Sequence, residues 1–220
     1  MDSRSVNRSI RTQIWPLLRR AGFNSTTARS AWRHELDRID VVNFQSFNSY
    51  NASVMGVTTF SFAVNLGTYL LYVPPQWPPK KIKNSVPYPA EYECHFRGRL
   101  KPSTTQFHNN EGVWGIDEEG SNLAWSIKDV ANEIPMALDW FKRLENRAEV
   151  LRILQEEDED TFKLWGFGRR PSPVRSYLTG YVAMALGKDE LAEKEFEAAV
   201  ASGCFSNLFS SAEGARYRAV

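Results

Sequence analysis

Little in this chain marks a secreted, metal-binding or membrane-embedded protein. Two cysteines among 220 residues, Cys94 and Cys204, cannot build the multi-bridge scaffold of a small secreted domain, and a reducing compartment is the simpler reading. Three histidines, His34, His95 and His108, lack the recurring spacing of metal ligands, so neither a metal nor a cofactor is expected. Cys94 and His95 are adjacent, and on a strand they point to opposite faces: a core thiol beside a surface imidazole. No run of about 18 uncharged apolar residues occurs. The start, "MDSRSVNRSIRTQIW", lacks the apolar segment of a signal peptide, so a cytoplasmic protein with no membrane partner is expected.

Catalytic signatures are equally scarce. There is no GxSxG elbow, and no serine has a histidine at a telling spacing. "WGFGRR" at 165–170 has glycines and arginines but not the pattern of a phosphate loop, and reads as a turn. Asp117 and Glu118 lie in a turn-like stretch where solvation is the default. An enzyme is therefore the less favoured class. A hydrolase ranks third among the functions, and its marker is a pocket of perturbed titratable groups around His95 or His108.

Charge of one sign is also missing overall, since 27 basic residues face 26 acidic ones. The imbalance is local. Residues 1–40 hold eight arginines against four acids, while "EEDED" at 156–160 is a compact acidic block.

What the chain does have is rings and periodicity. Hydrophobic residues make up 42% and aromatic ones 13%, enough for a sizeable core. Val6, Ile10, Ile14, Leu17 and Leu18 fall at helical spacing, and Gly22 closes that helix; Pro16 predicts a kink or break near Thr12. "ARSAWRHE" and "TTFSFAVNLGTYLLY" have strand composition, the second half-buried, with Phe60, Phe62, Val64 and Leu66 on one side. "VVNFQSFNSYN" at 41–51 also reads as strand, but Phe47 breaks the parity of Val42 and Phe44. A bulge near Ser46 or rings on both faces would explain the switch, and the scattered asparagine and serine weigh against a helix. "VPPQWPPKKIKNSVPYPAE" is a proline-rich connector whose Pro75–Pro78 PxxP pattern is more readily a rigid spacer than an SH3 ligand. "YECHFRGRL" predicts a further strand, and Val113–Ile116 a short one.

From Ser126 the period turns helical. Ser126 and Asp129 suggest a capping box, Pro135 a joint, and Asn146 with Glu149 a new start for "RAEVLRILQEE". Ser172–Pro173 opens a helix that Gly187 ends, and a second closes at Gly203. The spacing of Gly180, Ala192, Phe196 and Ala199 resembles one tetratricopeptide unit; without a second copy it should pack on its neighbours and not form a solenoid.

The fold expected is α+β: an N-terminal helix, an antiparallel sheet of four or five strands, and a helical C-terminal half packed on one face. We expect a single domain over 1–220, with the sheet part at 1–125 and the helical part at 126–220. For function the first expectation is a non-enzymatic module that binds another protein, through the sheet's polar face around Gln45 or the acidic block Glu156, Glu157 and Asp158. The second is nucleic-acid or nucleotide binding by a patch of Arg33, Arg38, Arg97 and Arg99, although pairing of these arginines with nearby acids is the commoner outcome on a sheet face.

Several motifs together, "IWPLLRRAGF", "IDVVNFQSFNSYN", "FSFAVNLGTYL" and "CHFRGRL" before "VWGI", resemble a family of small, mainly bacterial proteins catalogued only as a domain of unknown function. The resemblance spans roughly 8–155, and the "SYLTGYVAMALGKDELA" hairpin looks like a common C-terminal extension. It implies the α+β fold and a bacterial or phage-related origin; similar proteins can occur near toxin or defence loci, and immunity against a toxin or regulation of a partner is the form of protein binding expected here. The lone Trp114 departs from the paired tryptophans common there.

Overall fold

The computed structural model describes residues 1–104 and 111–219, so His108 lies outside the described residues. The elements in chain order are α1 (Ser3–Ser9), a π-helical turn (Ile10–Ile14), α2 (Trp15–Arg20), β1 (Ser25–Thr26), β2 (Ser30–His34), β3 (Arg38–Ser46), α3 (Ser49–Val54) and β4 (Phe62–Leu70). There follow β5 (Ile82–Lys83), β6 (Val86–Pro87), β7 (Phe96–Arg99), α4 (Leu123–Lys142), α5 (Arg147–Glu156), α6 (Pro173–Ala185), α7 (Asp189–Ala201) and α8 (Ala212–Tyr217). The fold is α+β, with an N-terminal helix, a five-stranded antiparallel sheet in the order β1-β2-β3-β4-β7, and a helical C-terminal half. Two compact units interleave along the chain: Met1–His34, Asp40–Gly67 and Gly98–Trp140 form the first; Glu35–Ile39, Thr68–Arg97 and Phe141–Val220 the second.

In the first unit the N-terminal helix presents Val6, Ile10, Ile14 and Leu18, all fully buried, as the spacing predicts. Pro16 is accommodated by the π turn just before it, where Trp15 donates its N–H to the Ile10 carbonyl five residues back. A ladder of rings fills the core: Trp15 meets Phe44 edge-on at 5.5 Å, Phe44 meets Phe62 at 5.4 Å, and Phe62 stacks on Trp114 at 5.9 Å. β4 is buried at every position, not on alternate sides as its parity implied.

The run at 41–51 proves to be two elements. β3 ends at Ser46, and the Asn48 side chain accepts the Asn51 N–H to cap α3, which leaves Tyr50 exposed on that helix. Phe47 changes parity because the strand has ended, and it packs with Ala52, Ala63 and Val113. No bulge is needed. The expected strand at Val113–Ile116 reduces to one bridge between Trp114 and Phe62.

α4 likewise starts before the expected capping box. Its true start is the turn in which Asp117 accepts the N–H groups of Gly120, Ser121 and Asn122, while Ser126 sits buried inside the helix. Asp129 instead accepts the Trp114 indole N–H at 2.9 Å and the Ser103 backbone N–H at 3.0 Å. Pro135 lies within α4 without ending it. A proline there costs about 3 kcal/mol, and burial of Ile127, Val130, Ile134 and Ala137 along one side offsets that.

In the second unit the hairpin of α6 and α7 follows its sequence signals closely. Gly180 has no side chain because the Phe196 ring occupies the place: a Cβ would lie 2.5 Å from it. Tyr177, Tyr181, Phe205 and Phe209 extend this aromatic core, and Tyr181 donates to the Ala215 carbonyl in α8, a helix the sequence did not announce. At the start of α5, Asn146 accepts the N–H groups of Ala148 and Glu149 as expected.

Candidate functional site

The arginines of the expected patch each have a partner within their own unit. Arg33 grips the buried Asp40 with two donors, at 3.0 and 2.7 Å, and also reaches the Ala21 carbonyl. Arg38 pairs with Glu145 at 3.1 Å, and Arg97 with Glu91 at 3.4 Å. Arg99 donates to Asn65 at 2.8 Å, and Asn65 in turn donates to Gln45 at 2.9 Å, so the amide of the strand run closes an internal chain of hydrogen bonds.

The acidic block is similarly engaged. Glu156 pairs with Arg152, and Glu157 with both Arg143 and Arg152. Glu159 accepts the N–H groups of Gly166 and Gly168, so the glycine turn of "WGFGRR" wraps one of the chain's own carboxylates. Asp158 is exposed.

A different place stands out. In the second unit a cavity of about 460 Å³ opens beside the proline-rich segment, with Tyr69, Trp77, Tyr92, His95 and Tyr177 among its walls. The segment is held from below: Tyr177 donates its hydroxyl to the Pro74 carbonyl at 2.6 Å, and Arg218 reaches the Pro75 carbonyl at 3.1 Å. Glu93 clasps it by accepting the N–H groups of Lys80, near its middle, and Ala90, close to its end. β5 and β6 pair as a small hairpin that the connector reading missed. Trp77 is 75% exposed, Ile82 58% and Tyr92 57%, with the Lys80 ammonium over the Tyr92 ring. Prolines on both sides of Trp77 were the available signal, since a tryptophan so flanked cannot join a central strand.

His95 corrects another expectation. Cys94 precedes β7, buried as foreseen, with its thiol on the Ala90 carbonyl. The imidazole is no surface group: it lies against the Tyr69 ring at 4.8 Å, and its Nδ1 accepts the Leu70 N–H at 2.9 Å. Burial lowers its pKa to about 4 and raises that of Tyr69 to about 12. At neutral pH the ring is uncharged with its proton on Nε2. The hydrolase marker, a perturbed histidine in a pocket, is thus present. Its Nδ1 lone pair, however, is spent on a backbone amide, so Nδ1 cannot accept a substrate proton. Among the described residues, no group of three or more His, Cys, Asp or Glu side chains could hold a metal ion, and no helix is long and apolar enough to cross a membrane.

A family model described as a domain of unknown function, DUF4304, matches residues 14–143, and the chain belongs to that family. No curated protein and no solved structure matches the chain. The match ends just after α4; the cavity draws one wall from inside it and the other, through Val174, Tyr177 and Leu178, from beyond it.

Proposed function

We propose that the protein is a non-enzymatic protein-binding module whose contact surface is the Trp77–Tyr92 segment with the adjoining cavity. The observation that carries this reading is the exposure of Trp77, Ile82, Val86 and Tyr92 within sixteen residues of chain. Large apolar side chains gathered in one exposed segment mark interaction surfaces, and tryptophan and tyrosine dominate the energetic centres of protein interfaces. Prolines and the carbonyl anchors from Tyr177 and Arg218 hold the segment in one shape, which lowers the entropy lost on binding. Neither the sheet arginines nor most of the acidic block offers comparable unsatisfied surface. A bacterial toxin is the first partner to test, with immunity or regulation as the role, in a cytoplasmic setting.

The test is affinity capture with the wild-type chain and with Trp77→Ala and Tyr92→Ala, followed by measured affinities for whatever protein the wild type retains. Both rings are exposed, so stability should hold while affinity falls by about 30-fold or more. A partner kept equally by both variants would refute the surface. Co-purifying nucleic acid with affinity that collapses between low and physiological salt would favour the arginine reading instead.

A further inference from the structure

We infer that the β5–β6 hairpin inserts shallowly into the headgroup layer of an anionic lipid membrane and anchors the chain to that surface. Residues 80–86 form the tip, and all seven are exposed. Asn84 and Ser85, both at positive φ, make the tight turn between the two strands. In the register Ile82 stands opposite Pro87, and Lys83 opposite Val86. Successive strand positions point to opposite faces, so Ile82 and Val86 project from the two sides of the ribbon.

That arrangement distinguishes a lipid surface from a protein one. A flat protein face covers one side of a ribbon and leaves the other in water, whereas a lipid interface surrounds what enters it. Ile82 and Val86 are both exposed, and a two-stranded hairpin standing free in water gains little from carrying them. Pro78, Pro79, Pro87 and Pro89 lack an amide N–H, which removes donors that would lose water as the tip enters. Surface attachment requires no spanning helix, and none occurs among the described residues. The expectation of no membrane partner, drawn from the lack of a long apolar run, is amended for this mode of contact.

Charge complements an acidic leaflet. The stretch from Val73 to Ala90 holds Lys80, Lys81 and Lys83 and no acid. The acids that follow are engaged: Glu91 by Arg97, and Glu93 by the N–H groups of Lys80 and Ala90. The Lys80 ammonium lies over the Tyr92 ring at 5.5 Å and that of Lys81 over Tyr88 at 5.4 Å, which sets cations and amphipathic rings side by side. With the exposed Trp77, this is the mixture a membrane interface selects: ammonium groups for lipid phosphates, rings for the boundary and aliphatic groups for the layer beneath. The inference goes beyond the protein-binding reading and does not rest on it.

The experiment is flotation of the purified full chain with vesicles of phosphatidylcholine alone, or of phosphatidylcholine and phosphatidylserine at about three to one. The wild type should float with the mixed vesicles and not with the neutral ones. Lys80→Gln combined with Lys83→Gln should weaken the association about 25-fold, at about fivefold per lysine. Ile82→Ser combined with Val86→Ser should weaken it about tenfold. Urea midpoints of both variants should match the wild type, because all four side chains are exposed. No flotation with mixed vesicles overturns the inference, as does equal flotation with neutral ones or by either variant. If the chain does not float but retains a protein that the Ile82→Ser, Val86→Ser variant loses, the tip belongs to the protein interface and the lipid assignment falls. The flotation uses no partner protein, so its outcome is independent of the Trp77→Ala capture test.

Discussion

The Nδ1 atom of His95 accepts the backbone N–H of Leu70 at 2.9 Å, which ties the end of β4 to a neutral imidazole. Protonation would destroy that bond, and burial holds the folded pKa to about 4, below the ordinary 6.5. The unfolded chain therefore binds the proton first as pH falls. Stability from this group is complete above about pH 6.5 and drains away toward pH 4, by no more than about 3 kcal/mol. Urea titrations at pH 7 and pH 5 should show the loss in wild type, and His95→Gln should flatten it. A pH profile identical in both proteins would contradict this.

Gly98 approaches the indole of Trp140 so closely that a Cβ would lie 2.7 Å from Nε1. Gly98→Ala should destabilise the protein by about 1–3 kcal/mol. Pairing it with Trp140→Leu should recover part of that loss in the urea midpoint, because the clash goes with the ring.

Arg175 is 5% exposed and donates to the carbonyls of Leu154, Glu157 and Gly168 while lying over the Phe167 ring at 4.7 Å. Replacing it with methionine keeps the bulk and orphans three acceptors. The expected cost is about 2–4 kcal/mol in chemical denaturation. Arg152→Met, whose guanidinium pairs with carboxylates at a more exposed site, should cost under about 1 kcal/mol.

Asp129 and Trp114 form a buried pair in the first unit. Asp129→Ala leaves an indole N–H without an acceptor and should cost about 1–3 kcal/mol. In the double variant with Trp114→Phe the two losses should sum to less than their separate values, since the orphaned donor is gone. Strict additivity would show that the hydrogen bond contributes nothing.

How far the amino-acid order reaches can be seen element by element. α5, α6 and α7 were legible because their boundaries are local chemistry: Asn146 at a cap, Pro173 in a first turn, Gly187 and Gly203 at positive φ. β2 and the body of β4 were legible from composition.

Other features answered to forces that act between distant residues. The strand after Arg38 stops at Ser46 because Phe47 finds Ala52, Ala63 and Val113, a packing choice invisible in a window of eleven residues. Pro135 stays inside α4 because one buried side outweighs one lost hydrogen bond. Arg38 pairs 107 positions away with Glu145, and Arg147 110 positions away with Asp37, so spacing along the chain says nothing about which charges remain free. Local periodicity therefore settles which segments coil or extend, since it depends on neighbours a few residues apart. The ring-lined hollow and the shielded imidazole exist only after long-range burial has brought segments distant in the chain together.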